Sequence, residues 1–160
     1  MTPDFPAIGF CTLEGPDEPE GAERIDIVND EVDFTFSAWW RLRYYPRLGM
    51  VLIGSDLRPW KVVRVVDRGI VGSIGGRILR FLTQQSLHRF EHELVELSPI
   101  SLGQLKARIG ASILADPDHW IDDDPIVDEN GNVPDAQDLL DIRVAAVQAA
   151  ASFDEIMDAL

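Results

Sequence analysis

Two imidazoles and a carboxylate stand within five residues at His88-Arg-Phe-Glu-His92. On a helix this spacing sets both rings one turn apart, where they can grip a zinc ion while Glu91 acts as general base toward a bound water. A zinc hydrolase needs a third protein ligand, and Glu129 and Glu155 are candidates only by default. The residues that follow, Glu93 to Leu97, read as a strand. In a strand His88 and His92 still share a side but stand roughly 13 Å apart at about 3.3 Å per residue, too far for one tetrahedral ion. The sequence therefore assigns no metal and no cofactor. The expectation for the segment is an exposed polar face on an edge strand, with zinc hydrolysis through His88, Glu91 and His92 as the lesser alternative.

Those five positions resemble the H-x-x-E-H signature of the inverzincin metalloproteases, and the resemblance ends with them. It implies a helix carrying both ligands and a cleft for a peptide, in a chain small for both. A second oxygen-rich stretch, Asp122 to Asn132, invites comparison with a calcium loop. Aligning Gly131 with the glycine of an EF-hand places Asp128 and Asn130 correctly but leaves Ile126 and Gln137 at the first and last ligand positions. A solvated turn is the simpler reading. The lone cysteine, Cys11, has no basic neighbour in sequence, excludes an intrachain disulfide and fits a reducing compartment. No glycine spacing leads into a phosphate-binding helix, and no serine occupies a nucleophile elbow.

The most distinctive composition is the run Trp39, Trp40, Arg41, Arg43, Tyr44, Tyr45 and Arg47. Aromatic faces interleaved with guanidinium groups can stack nucleobases while the arginines hold phosphates. The same residues serve equally as core aromatics with arginine stems packed along them. Without a recognised reader of base edges, nucleic-acid binding by Trp39, Trp40, Arg41, Arg43 and Tyr44 is the alternative, and packing the expectation.

Charge separates the chain into three zones. Residues 1–40 carry ten acids and one base, residues 41–90 ten bases and two acids, and residues 91–160 sixteen acids and three bases, for a net charge of -14. Folding the acidic flanks against the basic middle is one way to reconcile them. The other is a surplus of negative surface, densest between Asp116 and Asp141, where ten acids meet no base. Such a surface suits a basic protein partner, with Asp122, Asp123 and Asp124 supplying charge and Trp120 an aromatic anchor. The 160 residues suit one domain, with acidic loops at 14–23 and 116–134. No apolar run is long enough to span a membrane, and the N-terminus lacks the pattern of a secretory signal, so a soluble cytoplasmic protein is expected.

Periodicity places these groups. Ala7 to Leu13 and Arg24 to Val28 read as short strands, and Val32 to Trp40 alternates with a period of two, as a strand does. Met50 to Ile53 and Trp60 to Asp67 form a hairpin around Gly-Ser-Asp-Leu-Arg-Pro, with Trp60, Val62 and Val66 on one face and Val63 and Val65 on the other. Ser101 and Gln104 make a capping box ahead of Leu102, Leu105, Ile109 and Ile113, and Asp116-Pro117 ends that helix. A second helix is predicted from Asp135 to Ala149 and a third from Ser152, where Glu155 completes another box.

The predicted fold is α+β: a small bent antiparallel sheet or SH3-like barrel over residues 7–97, followed by two or three helices within 101–160. The predicted function is a small, acidic, non-catalytic binding module for a basic protein. Bacterial immunity proteins, which neutralise toxic enzymes, are a class of that size and charge, and the comparison is an analogy.

Overall fold

The computed structural model describes residues 3–12, 21–38, 46–71, 87–120 and 135–160. The chain forms two compact units, Met1–Thr12 with Asp26–Pro99, and Leu13–Ile25 with Ile100–Leu160. The architecture is α+β, with a curled antiparallel sheet and mostly C-terminal helices.

Among the described residues, the first unit is built on a six-stranded sheet. Its strands are β1 (Ala7–Thr12), β2 (Glu23–Val28, entering this unit at Asp26), β3 (Phe36–Ala38), β4 (Val51–Ile53), β5 (Pro59–Ile70) and β6 (Leu87–Glu96), in the order β2-β1-β4-β5-β6-β3. The expected hairpin is present: β4 and β5 pair antiparallel with Val51 opposite Lys61 and Ile53 opposite Pro59. Its loop closes through the Leu57 N–H donating to the Gly54 carbonyl at 3.0 Å. Pro59 begins the strand, where a missing N–H costs the ladder least.

On one side of this sheet Ala7, Cys11, Val28, Met50, Leu52, Trp60 and Val62 gather with Phe34 into a buried cluster. Each fully buried aliphatic side chain there contributes about 1.5–3 kcal/mol relative to exposure. Cys11 is therefore a buried sheet residue. Two expectations, for the stretch that ends in β3 and for β5, need correction. The period of two from Val32 is not one strand: α1 (Glu31–Thr35) comes first and β3 follows. Asp30 caps that turn, its carboxylate accepting the Asp33 N–H at 2.7 Å, and the helical turn leaves Val32 63% exposed while burying Phe34. Residues 39–45 lie outside the described residues.

The second correction is to the faces of β5. Val62 is opposite Leu94 and Arg64 opposite Glu93, so Val63 is an extra residue, a bulge. A bulge resets the alternation. Val65 consequently packs against the same buried cluster as Trp60 and Val62, while Val63 is exposed. A second irregularity between Asp67 and Ile70 holds Gly69 at φ +90°, a conformation that glycine adopts without strain. Gly72, Gly75 and Gly76 fall outside the described residues.

In the second unit, α2 (Leu102–Ala115) starts at the expected capping box. Ser101 Oγ accepts the Gln104 N–H at 3.2 Å, and Gln104 Oε1 accepts the Ser101 N–H at 2.8 Å. Leu105, Ile109 and Ile113 are fully buried. After α3 (Pro117–Trp120), α4 (Ala136–Ala149) is capped by Asp135 and α5 (Phe153–Ala159) by Ser152. The Glu155 carboxylate accepts from the Ala151 N–H, one residue earlier than a capping box requires. α2 packs on α4 and α4 on α5. The first crossing is tied reciprocally: Lys106 Nζ donates to the Gln148 carbonyl at 2.8 Å, and Gln148 Nε2 donates to the Lys106 carbonyl at 3.2 Å.

Candidate functional site

Strand β6 decides what the His88–His92 segment can do. Phe90 is 3% exposed and His88, His92 and Leu94 are half-buried, while Arg89, Glu91, Glu93 and Val95 face water. The histidines thus share the inner side, which corrects the expectation of an exposed polar face. Nor is β6 an edge strand: it pairs with β5 throughout and with β3 from Leu87 to Arg89.

Each motif residue has its own neighbour. His88 Nδ1 lies 2.9 Å from Asp67 Oδ2. Burial pushes the Asp67 carboxyl up, but the Gly69 N–H and His88 outweigh it and hold that carboxyl below its ordinary value. Glu91, on the outer side, bonds Arg68 at 2.6 Å. His92 stacks on Phe34, ring centroids 3.9 Å apart. Burial, reinforced by the positive charge of Arg47, pushes its pKa down to about 4, so the ring is neutral at pH 7. Its Nε2 is enclosed and meets no hydrogen-bond partner among the described residues. No group of three or more potential metal ligands comes together among those residues.

Arg47 and Phe34 are the members of this arrangement that sequence reasoning passed over as site residues. Arg47 is 2% exposed, and its guanidinium lies 3.3 Å from Asp26 Oδ2 and 5.1 Å from the centre of the Phe34 ring. The available signal was the even spacing of His92 with Phe90 and Leu94, which puts its imidazole on the apolar side of any strand drawn through them.

The acidic candidates belong to the second unit. Trp120 ends α3 half-buried, with the Arg143 guanidinium 5.1 Å above its ring and His119 edge-on at 5.2 Å. Asp122, Asp123 and Asp124 lie outside the described residues, as do Trp39, Trp40, Arg41, Arg43 and Tyr44. No family model, curated protein or solved structure matches this chain.

The division into units redistributes the charge. By sequence the first unit holds ten acids and ten bases, whereas the second holds eighteen acids and four bases, so the entire net charge of -14 belongs to the second. The zones read along the chain concealed this balance, because β6 carries Glu91, Glu93 and Glu96 back beside the basic β5. Arg68 bonds Glu91 and Arg58 approaches Glu96 at 3.6 Å. Within the second unit, Arg24 pairs with Asp116 at 2.5 Å and Arg108 grips Glu23 through two bonds of 2.6 and 2.7 Å. Lys106 and Arg143 donate instead to the carbonyls of Gln148 and Leu160. Four bases cannot neutralise eighteen acids. Among the described residues of this unit, two large apolar side chains are exposed, Leu114 at 53% and Ile142 at 62%. No helix among the described residues is long and apolar enough to cross a membrane.

Proposed function

We propose that the protein is a non-catalytic binding module whose acidic helical unit receives a basic protein partner, in the manner of an inhibitor or immunity protein. The observation that carries this reading is the concentration of the whole net charge of -14 in the second unit, beside a first unit of balanced charge. A field of one sign steers an oppositely charged partner and raises its association rate, and salt weakens the effect. Exposed ion pairs are each worth only about 0–1 kcal/mol, so an apolar anchor is also needed. Trp120, already held by Arg143, and the exposed Ile142 supply candidates inside the acidic unit. Nucleic-acid binding ranks second, because the ten bases of the first unit are matched in number by its own acids.

The test is a pull-down from the native host's lysate at low and high salt. It compares the wild type with Asp122→Asn/Asp123→Asn/Asp124→Asn and with Trp120→Ala. The expected result is a basic protein retained at low salt, released at high salt and weakened by both variants. Recovery of no basic partner, or of one indifferent to salt and to the charge-removing variant, overturns the reading.

A further inference from the structure

Helix α1 and strand β3 make a short flap at one edge of the sheet. Among the described residues β3 is the outermost strand, and its three residues Phe36–Ala38 lie opposite Leu87–Arg89 of β6. α1 is little more than one turn, with Phe34 its buried side chain and Val32 63% exposed. The β5–β6 pair is held far better. It runs from Trp60 opposite Glu96 to Ile70 opposite His88, and it is tied by Arg68 to Glu91 at 2.6 Å and by His88 to Asp67 at 2.9 Å. Segments that open apart from the rest of a fold have the flap's character: short, at an edge, with few buried apolar contacts.

The ring that fastens this flap is badly placed to take a proton. His92 stacks on Phe34 with centroids 3.9 Å apart, and its Nε2 is enclosed with no hydrogen-bond partner among the described residues. An imidazolium carries hydrogen on both nitrogens, so from either neutral tautomer protonation leaves an N–H of a charged ring at Nε2 with nothing to accept it. The Arg47 guanidinium, 5.1 Å from the centre of the same Phe34 ring, adds a like charge. Burial and then Arg47 disfavour the cation, and none of the surrounding carboxylates offsets them. Those carboxylates are Asp30, Glu31 and Asp33 at α1, Glu91 and Glu93 beside His92 on β6, Asp67 on β5, Asp4 next to Phe5 and Asp26 behind Arg47; Arg64, Arg68 and Arg89 are the other bases of the two strands. Directly across β5 stands the uncharged Val65. Proton binding therefore favours a state in which the imidazole has parted from Phe34 and Nε2 meets water.

We propose that α1 and β3 form an acid-released flap: protonation of His92 lifts them together from β6 while the β5–β6 pair stays closed. The carboxyls of Asp67 and Glu91, held below their ordinary values of 3.8 and 4.5, remain charged and keep that pair tied as the flap opens. Opening uncovers the backbone of Leu87–Arg89 that β3 pairs, and an unpaired strand edge accepts another strand.

Native-state hydrogen exchange of the full chain, read by NMR in low urea, tests this. The amides of Phe34 and of β3 are expected to exchange through an opening with a shallower urea dependence than the amides of β4 and β5 show. With His92 at about 4 in the closed state and 6.5 when free, the protection of the flap should fall about twentyfold between about pH 7 and about pH 5. His92→Phe, which keeps a ring against Phe34, should abolish that fall. A flap that shares the urea dependence of β4 and β5, protection that does not fall between those pH values, or a fall that persists in His92→Phe overturns the proposal. If His92→Phe does not fold, the wild type decides it: the fall must begin near pH 6.5 and follow the uptake of one proton, and an onset only below about pH 5, with the carboxylates, overturns it.

Discussion

The imidazole of His92 lies 3.9 Å from the ring of Phe34, centroid to centroid, with the two planes 25° from parallel. One residue comes from a ten-residue strand and the other from a single capped turn of helix, so this pair locks α1 onto β6. Burial of the imidazole there also contributes to how the first unit responds to acid.

The folded chain keeps His92 neutral down to about pH 4, whereas an unfolded histidine takes its proton near 6.5. Between those values the unfolded state binds more protons, so stability rises with pH. The contribution is complete above pH 6.5 and is lost as pH falls toward 4. The carboxyls of Asp67 and Glu91, held below their ordinary values, also favour unfolding on acidification. Comparing the urea midpoints of wild type and His92→Phe at about pH 7 and about pH 4.5 isolates the imidazole. The variant should lose less stability on acidification.

Arg47→Met removes the second cause of the His92 shift and leaves the first, burial, in place. The pKa of His92 should therefore rise from about 4 but remain below 6.5 in an NMR titration of the ring. The same change takes away the cation facing Asp26, whose side chain is 6% exposed. Breaking a buried pair on one side costs about 3–5 kcal/mol, while replacing both partners by apolar residues is often near neutral. Arg47→Met/Asp26→Leu should recover most of the stability that Arg47→Met loses.

Gly54 in the β4–β5 loop has no room for a side chain. A Cβ there would stand 2.2 Å from the Asp4 carbonyl oxygen, a backbone atom that cannot swing aside. Gly54→Ala should cost about 1–3 kcal/mol in chemical denaturation, the range for overpacking. Gly103→Ala, in the first turn of α2 where the nearest atom is 3.9 Å away, should be neutral or slightly stabilising.

Ser101→Ala deletes the oxygen that accepts the Gln104 N–H at the start of α2. The loss should be about 1 kcal/mol, read as a lower thermal midpoint, and Ser101→Asp should restore it because aspartate caps equally well.

The sequence by itself determined the local elements whose signals are short-range. The capping box at Ser101 and Gln104 and the stripe of Leu105, Ile109 and Ile113 formed as expected, and the hairpin read from Met50 to Ile53 and from Trp60 to Asp67 is present as the antiparallel pair β4 and β5. They were legible because helix capping and strand alternation depend on neighbours within a few residues. Two of the strand patterns misled. A period of two over a few residues is shared by a strand and by a capped helical turn followed by a strand, and the carboxylate of Asp30 tips Val32 to Thr35 into the turn. The inserted Val63 could not be foreseen, because a bulge is defined only by the partner strand opposite it.

What only the tertiary structure decided is the meeting of residues far apart in the chain. Arg47 reaches Asp26 and the Phe34 ring, and His92 comes to Phe34 from 58 positions away. The even spacing along β6 already placed His92 beside apolar residues, but nothing in it named the ring across from it. Charge followed the same rule. Read along the chain, Glu91, Glu93 and Glu96 belong to an acidic tail; folded, they lie beside the bases of β5, and the surplus falls wholly on the other unit. Net charge is a sum over the sequence, but an electrostatic field is a sum over distances, and the distances exist only once the strands have paired.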